Sequence, residues 1–411
     1  MIDRTGASPL WQRKWSSVGL LIVSVVFAMS VWFSAVAILP ILTRVYNLSA
    51  GWGALAASSV ALGFVCGTIL SAALGLADRL DPRHFFMGCC LIAALANVAM
   101  IWVHPTSSLT FVLRFIAGAV MAGVYPVGMK LASSWADGDR GLLVGGLVGA
   151  GTLGSASPHL LGAFAFESWE NVLLISSGLA VTAAVLINFV AIGPGYGQAP
   201  KFKACYALKA FTNPALRLAN IGYFGHMWEL YAMWSWLGVF LAASFEVSSN
   251  GQDMQFASKL ATFLAIGAGT AGCIFAGRLA DIFGRTLVTS WAMVISGCLS
   301  VLVGLFFGAN PYLLTGICIV WGIAAVADSA QFSASVMELS DPDIVGTMVT
   351  VQTSIGFLIT IITIQLTPYM VDLLGWRYGF AYLALGPLVG TIAMLKLRTL
   401  PEAEKLAGGL R

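Results

Sequence analysis

The sequence predicts an all-α membrane protein of twelve transmembrane helices, arranged as two pseudo-symmetric six-helix bundles. Three observations lead there. First, 59% of the 411 residues are apolar and only 9% are charged, with a mean hydropathy of +0.88. A soluble chain carries about a quarter charged residues, so a bilayer is the expected solvent. Second, twelve apolar runs are long enough to cross ~30 Å of hydrocarbon, which takes about 20 residues each. Third, the second half of the chain echoes the first at an offset of about 204 residues.

The runs lie near residues 16–39, 52–74, 85–103, 109–131, 141–165, 171–192, 216–242, 258–277, 286–308, 311–337, 345–368 and 377–397. The first is too long for a signal-peptide core and has no clear cleavage site, so it is read as a retained span. With the N-terminus placed inside, the inner segments hold Arg4, Arg13, Lys14, Arg79, Arg83, Lys130, Arg140, Lys201, Lys203, Lys209, Arg217, Arg278, Arg285, Lys396, Arg398, Lys405 and Arg411. That is 17 of the 21 basic residues, which predicts both termini in the cytoplasm. The longest connection, GPGYGQAPKFKACYALKAFTNPA, divides the chain into a bundle at 1–192, a linker at 193–215 and a second bundle at 216–411. The seven cysteines show no CxxC spacing and read as small buried hydrophobes rather than disulfides or metal ligands. With a net charge of +3 and scattered basic residues, nothing points to nucleic acid.

The repeat is visible at four places in the same order. FAMSVW (27–32) matches YAMWSW (231–236), with Trp32 over Trp236. LADRLDPR (76–83) matches LADIFGRT (279–286). Gly118 aligns with Gly322, and Gly151 with Gly356. A parallel duplication of six spans is an architecture of secondary transporters, with the solute path between the halves.

The chain resembles the major facilitator superfamily over essentially its whole length. That family's loop motif, G-x-L-A-D-[RK]-x-G-[RK]-[RK], is matched by Gly277, Leu279, Ala280, Asp281, Gly284 and Arg285. The first copy keeps Leu76, Ala77, Asp78, Arg79 and Arg83, but has Leu74 in place of Gly and Asp81-Pro82 in place of Gly-Arg. RFIAG (114–118) resembles the fourth-span motif, although Ala117 stands where Gln is usual. The resemblance implies alternating access and a role for Arg114 in proton coupling. The carboxylates Asp78 and Asp281 sit where they can accept hydrogen bonds from a neighbouring helix N-terminus or an arginine. They would thereby latch the halves together on the inner side.

Ionisable residues at membrane depth are functional candidates that face the protein interior or water. His226 and Glu229 lie three apart on one face of the seventh span, continued by Tyr223, Met233 and Trp236. Their first-half counterparts, Ile22 and Val25, are apolar, so the pair is an addition to the duplicated scaffold. It reads as facing the solute path, or else as a hydrogen-bonded pair stapling two helices. Arg114 is placed to bind an anionic solute or to pair with an intramembrane carboxylate. Asp328 and Gln331 share a face of the tenth span, as a cation or proton site or as partners of an arginine. His159, after Pro158, reads as structural. Phe27, Trp32, Tyr125, Tyr231, Trp234 and Trp236 are candidates for lining a pocket, or for packing against lipid.

The expected function is secondary active transport of a small solute through the bacterial inner membrane, working as a monomer amid lipid. Coupling to protons, or to another ion, would run through Glu229, His226 and Asp328. The solute is expected to be a small organic or inorganic anion. Proton-driven efflux of amphipathic compounds is the alternative, and a transporter-like sensor without flux is the rival from another class. The nitrate–nitrite branch fits poorly, because its arginines in the second and eighth spans are missing here. No nucleotide-binding motif, cofactor motif, metal cluster or enzyme nucleophile is recognisable.

Overall fold

Caps and glycines set where each helix starts, stops and touches. The structure, a computed structural model, describes residues 14–137, 139–164, 168–197, 202–249 and 252–411, with Arg140 described by its backbone. Arg4, Arg13 and Lys201 of the inner-side cations lie outside the described residues. The first span is split into α1 (Lys14–Met29) and α2 (Ser34–Tyr46). The second, α3 (Ala50–Leu74), starts on the Ser49 cap and ends at Gly75, whose left-handed backbone leads into the single turn α4 (Leu76–Arg79). Then come α5 (Pro82–Ala99), the fourth span as α6 (Leu109–Met121) and α7 (Tyr125–Ser133), α8 (Arg140–Phe164) and α9 (Trp169–Leu186).

After a largely irregular segment that contains the short α10 (Lys209–Thr212), the second half opens on α11 (Pro214–Ser248). This helix is capped by Asn213, with Pro214 at its first position. It continues through α12 (Gln255–Gly267) and α13 (Gly269–Phe283), which form the eighth span, and then α14 (Arg285–Leu302). The tenth span is α15 (Pro311–Ala327) and α16 (Ser329–Leu339), followed by α17 (Val345–Leu374) and α18 (Leu385–Arg398). Among the described residues, eleven of the twelve spans are long and apolar enough to cross a membrane by length and composition. The other, α8, has 25 residues and is diluted by glycine.

Those glycines have a use. Gly141, Gly145 and Gly149 recur every four residues on α8 and turn towards α13 of the other half. Cβ atoms there would stand 3.2 Å from the Asp281 carboxylate, 3.2 Å from the Cys273 carbonyl and 3.0 Å from Thr270. The Thr270 hydroxyl donates to the Gly149 carbonyl at 3.0 Å. Small residues let backbones approach closely where lipid offers no hydrophobic drive.

Within each half a second kind of seam repeats. A methyl group on Gly118 of α6 would collide with the Val60 carbonyl of α3, and one on Gly322 of α15 with the Ala265 carbonyl of α12. Both the glycines and the carbonyls they meet are 204 to 205 residues apart. The duplication seen in the sequence is therefore a duplication of helix crossings. The halves also share a break. The fourth span interrupts around Gly123 and the tenth at Asp328, whereas the break of the first span at Ser30–Phe33 has no counterpart in the unbroken α11.

The cysteines depart from expectation. Cys89, Cys90, Cys273 and Cys318 are buried, but Cys66, Cys205 and Cys298 are exposed. On α3 and α14 a small exposed thiol costs nothing against lipid, and Cys205 lies in the connecting segment.

The seams can be tested by adding one methyl group. Gly118→Ala and Gly322→Ala should each destabilise the fold by about 1–3 kcal/mol through overpacking. Gly316→Ala, whose Cβ would meet nothing within 4 Å, should leave the melting temperature unchanged or slightly higher. Thermal unfolding of the purified protein in detergent checks all three.

Candidate solute cavity and the buried charges around it

A cavity of about 310 Å³ lies between the halves. The first half contributes Met29, Trp32 and Phe64, then Tyr125 and Met129 of α7, and Val148, Thr152 and Ser155 of α8. The second contributes Tyr223, Met227, Tyr231 and Trp234 of α11, Val326 of α15, Ser329 and Ser333 of α16, and Thr353 and Phe357 of α17. The cavity extends towards Lys130, Ser133 and Met337, at the end where α7 and α16 finish. At the opposite end aromatic rings from both halves close it. Phe64 and Phe357 have ring centroids 4.6 Å apart, Tyr231 and Phe357 4.9 Å, and Phe33 stacks on Tyr231 at 6.1 Å. Polar contacts between the halves lie beyond this plug: Lys259 Nζ donates to the Gly162 carbonyl at 2.9 Å and Gln365 to Ser58 Oγ at 3.1 Å.

Of the sequence candidates, Trp32 and Tyr125 line this cavity, as do Tyr231 and Trp234. Trp236 does not. Its indole N–H donates to the Ile364 carbonyl at 3.0 Å, so the ring packs α11 on α17.

Arg114 also lies elsewhere than expected. It is fully buried and meets neither a solute path nor a carboxylate among the described residues. Its guanidinium donates to the carbonyls of Val31 (3.0 Å) and Trp32 and to Ser34 Oγ (3.2 Å). These acceptors belong to the break in the first span. Ser34 passes the connection to Asn97 of α5 at 2.6 Å, and Asn97 donates to the Leu173 carbonyl and Ser177 of α9. The physical reason is backbone satisfaction: a helix interrupted in an apolar medium leaves carbonyls that need donors.

His226 and Glu229 share α11 but take different partners. His226 Nδ1 lies 2.8 Å from Asp328 Oδ1, and both residues are 2% exposed at the side chain. The contact is a close approach of an acid and an imidazole rather than an aligned hydrogen bond, and among the described residues His226 Nε2 is left without a partner. Glu229 points away from the cavity, towards α14 and α15, and accepts from Trp321 Nε1 at 2.7 Å and Ser296 Oγ at 2.8 Å. The expected exposure of Glu229 to the path is therefore not what this conformation has. Asp328 sits just behind the wall, at the α15–α16 break, with Val326 and Ser329 lining the cavity on either side of it. Gln331 is drawn off to Arg285, which donates to its Oε1 at 2.6 Å and forks onto Glu338 at 2.8 and 2.5 Å. His159 lies between halves, 3.5 Å from where a Cβ on Gly238 would be, with Nε2 unpartnered.

The two loop-motif copies differ in structure as in sequence. Asp281 rests against Gly141 in the first turn of α8, and Gly277 faces the Gly141 carbonyl. Gly284 has φ +90°, a conformation suited to glycine. In the first copy Asp78 pairs instead with Lys130 of its own half. Arg79 is exposed. Asp81 caps α5 and is held by Arg83, whose side-chain hydrogen bond keeps that carboxyl down at about 2. The Asp-Pro departure from the motif thus builds a local cap.

Residues the sequence reading missed include Phe64, Thr152, Ser155, Ser329, Ser333, Thr353 and Phe357. Two of them carry a usable signal, since Thr152 and Phe357 directly follow the repeat-related glycines Gly151 and Gly356. Arg114→Leu would strand the Trp32 carbonyl and loosen the Ser34 contact, and should destabilise the protein by on the order of 2–4 kcal/mol. Arg114→Lys, which keeps the charge but not the fork, should recover part of that. Melting temperatures of the three proteins check the order.

No curated protein sequence matches the chain. Among solved structures, the fold is similar to that of the nucleoside transporter NupG, crystallised as a point mutant. The TM-score is 0.69 at 16% identity, covering 93% of this chain and 99% of that one. The sequence profile described as Major Facilitator Superfamily matches residues 20–272 and again residues 219–409. The chain is an integral membrane protein and belongs to the major facilitator superfamily, whose members are transporters and not enzymes.

Proposed function

We propose that the protein is a secondary active transporter that moves a small solute by rocking its halves about the central cavity, coupled to protons. The observation that carries the reading is the placement of the His226–Asp328 pair directly behind the cavity wall, at the break of the tenth span. Tyr223 stands between the two environments, lining the cavity with its ring 6.1 Å from that of His226. A solute bound against Tyr223, or a bend of α16 at Asp328, would alter the neighbourhood of a buried acid and base together. Glu229, one turn further along α11, is a second proton-holding candidate.

The units are taken as 1–192, a linker at 193–215 and 216–411, in the bacterial inner membrane, with the protein active as a monomer. Lysine and arginine bias puts both termini in the cytoplasm. On that orientation the cavity extends towards the cytoplasm and the aromatic plug closes the outer side. Asp281 against the first turn of α8 then serves as the inner latch between halves.

Two earlier solute readings separate here. An anion finds little support, since Arg114 is committed to carbonyls and the lining cation, Lys130, is paired with Asp78. The aromatic and hydroxyl lining favours an uncharged, amphipathic compound. A sensor that binds without flux is distinguished by liposome transport.

One proton per cycle should give about tenfold accumulation per pH unit across the membrane, the equivalent of ~1.4 kcal/mol. In reconstituted vesicles, Asp328→Asn should abolish this accumulation while leaving downhill exchange within a few-fold of wild type. Glu229→Gln is the stricter control, because an amide can still hold Trp321 and Ser296. Accumulation that follows the pH gradient unchanged in both variants rules out these groups as the coupling sites.

A further inference from the structure

We infer that the cavity is built for a flat, uncharged ring compound, held between Tyr125 of the first half and Tyr223 of the second. This rests on the carrier reading above and narrows it to a class of solute. Each tyrosine rests against a glycine of a neighbouring span. A Cβ on Gly151 would stand 2.9 Å from the Tyr125 ring, and one on Gly356 would overlap the ring of Tyr223. These glycines are the repeat-related pair of the fifth and eleventh spans, at positions 205 apart. The missing Cβ is what lets each ring lie back against its helix. A ring backed this way loses little freedom when a second ring stacks on its open side.

Both tyrosines line the cavity, which has a volume of about 310 Å³, roughly ten times the ≈ 30 Å³ that a water occupies in the liquid. Tyr125 lines the cavity and makes no ring contact with another aromatic among the described residues. Tyr223 is held from the side by Phe332 and His226, at centroid distances of 6.2 and 6.1 Å.

The polar lining fits the same class of compound. Ser155, Ser329 and Ser333 offer hydroxyls that both donate and accept, while Thr152, which donates to the Val148 carbonyl at 3.0 Å, and Thr353, hydrogen-bonded to Tyr223, offer lone pairs. The one ionised side chain in the wall, Lys130, is paired with Asp78 and lies 4.5 Å over the Tyr196 ring. A charged solute would be stripped of water with nothing to replace it, while a neutral ring bearing amide or hydroxyl groups would find partners. Stacking on each tyrosine should contribute roughly 2- to 12-fold in affinity.

Three probes of nearly equal size separate flatness from charge: benzamide (flat, uncharged), benzoate (flat, anionic) and cyclohexanecarboxamide (puckered, uncharged). The readout is the ligand-induced rise in melting temperature of the purified full-length protein, titrated with each probe. Benzamide is expected to act at concentrations at least roughly fivefold below the other two. Tyr125→Leu and Tyr223→Leu should lose that preference, while Tyr125→Phe and Tyr223→Phe keep it. Should the leucine variants not fold, the probe series on the unaltered protein and the phenylalanine variants still decide. No response to benzamide, an equal response to all three, or a preference for either comparator overturns the sandwich. Flux in vesicles separates the two readings. Benzamide that binds with the stated preference but is never carried would sink the carrier and leave the site, whereas uptake of only a charged or puckered probe would sink the site and leave the carrier.

Discussion

Donors for an interrupted backbone are the constraint from which the rest of this structure follows. In hydrocarbon, every peptide group must be satisfied within the protein. At Ser30–Phe33 the first span tightens into turns closed by three-residue hydrogen bonds; Ser34 and Arg114 share the Val31 carbonyl, and Arg114 supplies the donor for Trp32. Arg114 is buried without a carboxylate, and its charge is compensated by carbonyls at the C-terminal end of α1, the negative end of that helix dipole. Without it the Trp32 carbonyl would have no donor among the described residues. The break also sets two aromatic residues side by side, Trp32 in the cavity wall and Phe33 in the plug above it. The cation expected to act on the solute thus shapes the wall from behind.

Inside a half, glycines seat one helix against the carbonyls of another, as at Gly118 on Val60 and Gly322 on Ala265. Crossings of that closeness have little room to slide. Between halves the contacts are of another kind: a glycine stripe on α8, rings that overlap in the plug, and single hydrogen bonds such as Lys259 to Gly162. These can be exchanged for water or for other partners at modest cost. The seam is nonetheless extensive, with α3 packed on α17 and α8 on both α12 and α13, so opening it requires exchanging many such small contacts.

The spans, the duplication and the loop motif were legible because each rests on a pattern that the bilayer or the backbone imposes. Apolar length marks a span, and Gly118 and Gly322 mark equivalent crossings. The cavity was harder to read. Helices apolar on every side carry no amphipathic stripe, so a mid-span residue gives no sign of whether it faces water, lipid or a neighbouring helix. Trp236 and Glu229 looked like wall residues because they share α11 with Tyr223, yet they turn towards α17 and towards α14–α15. The break beneath Arg114 was invisible too, since FAMSVWFSA contains neither proline nor glycine. The break at Asp328 recurs one repeat after the interruption around Gly123, a correspondence seen in the helices themselves.

That recurrence bears on how the halves share their work. At the equivalent interruption the first half has glycine, which can hold no proton, and the second has an aspartate facing a histidine. A buried acid and a buried histidine, each with few other partners among the described residues, are costly apart and tolerable together. Any motion that draws α16 away from α11 must therefore find the two side chains new partners or water. The duplicated scaffold supplies an interruption in both halves, and only the second places an acid against a histidine there. On the proposed carrier reading, coupling would rest on this asymmetry added to a symmetric frame, on the element that forms the cavity wall.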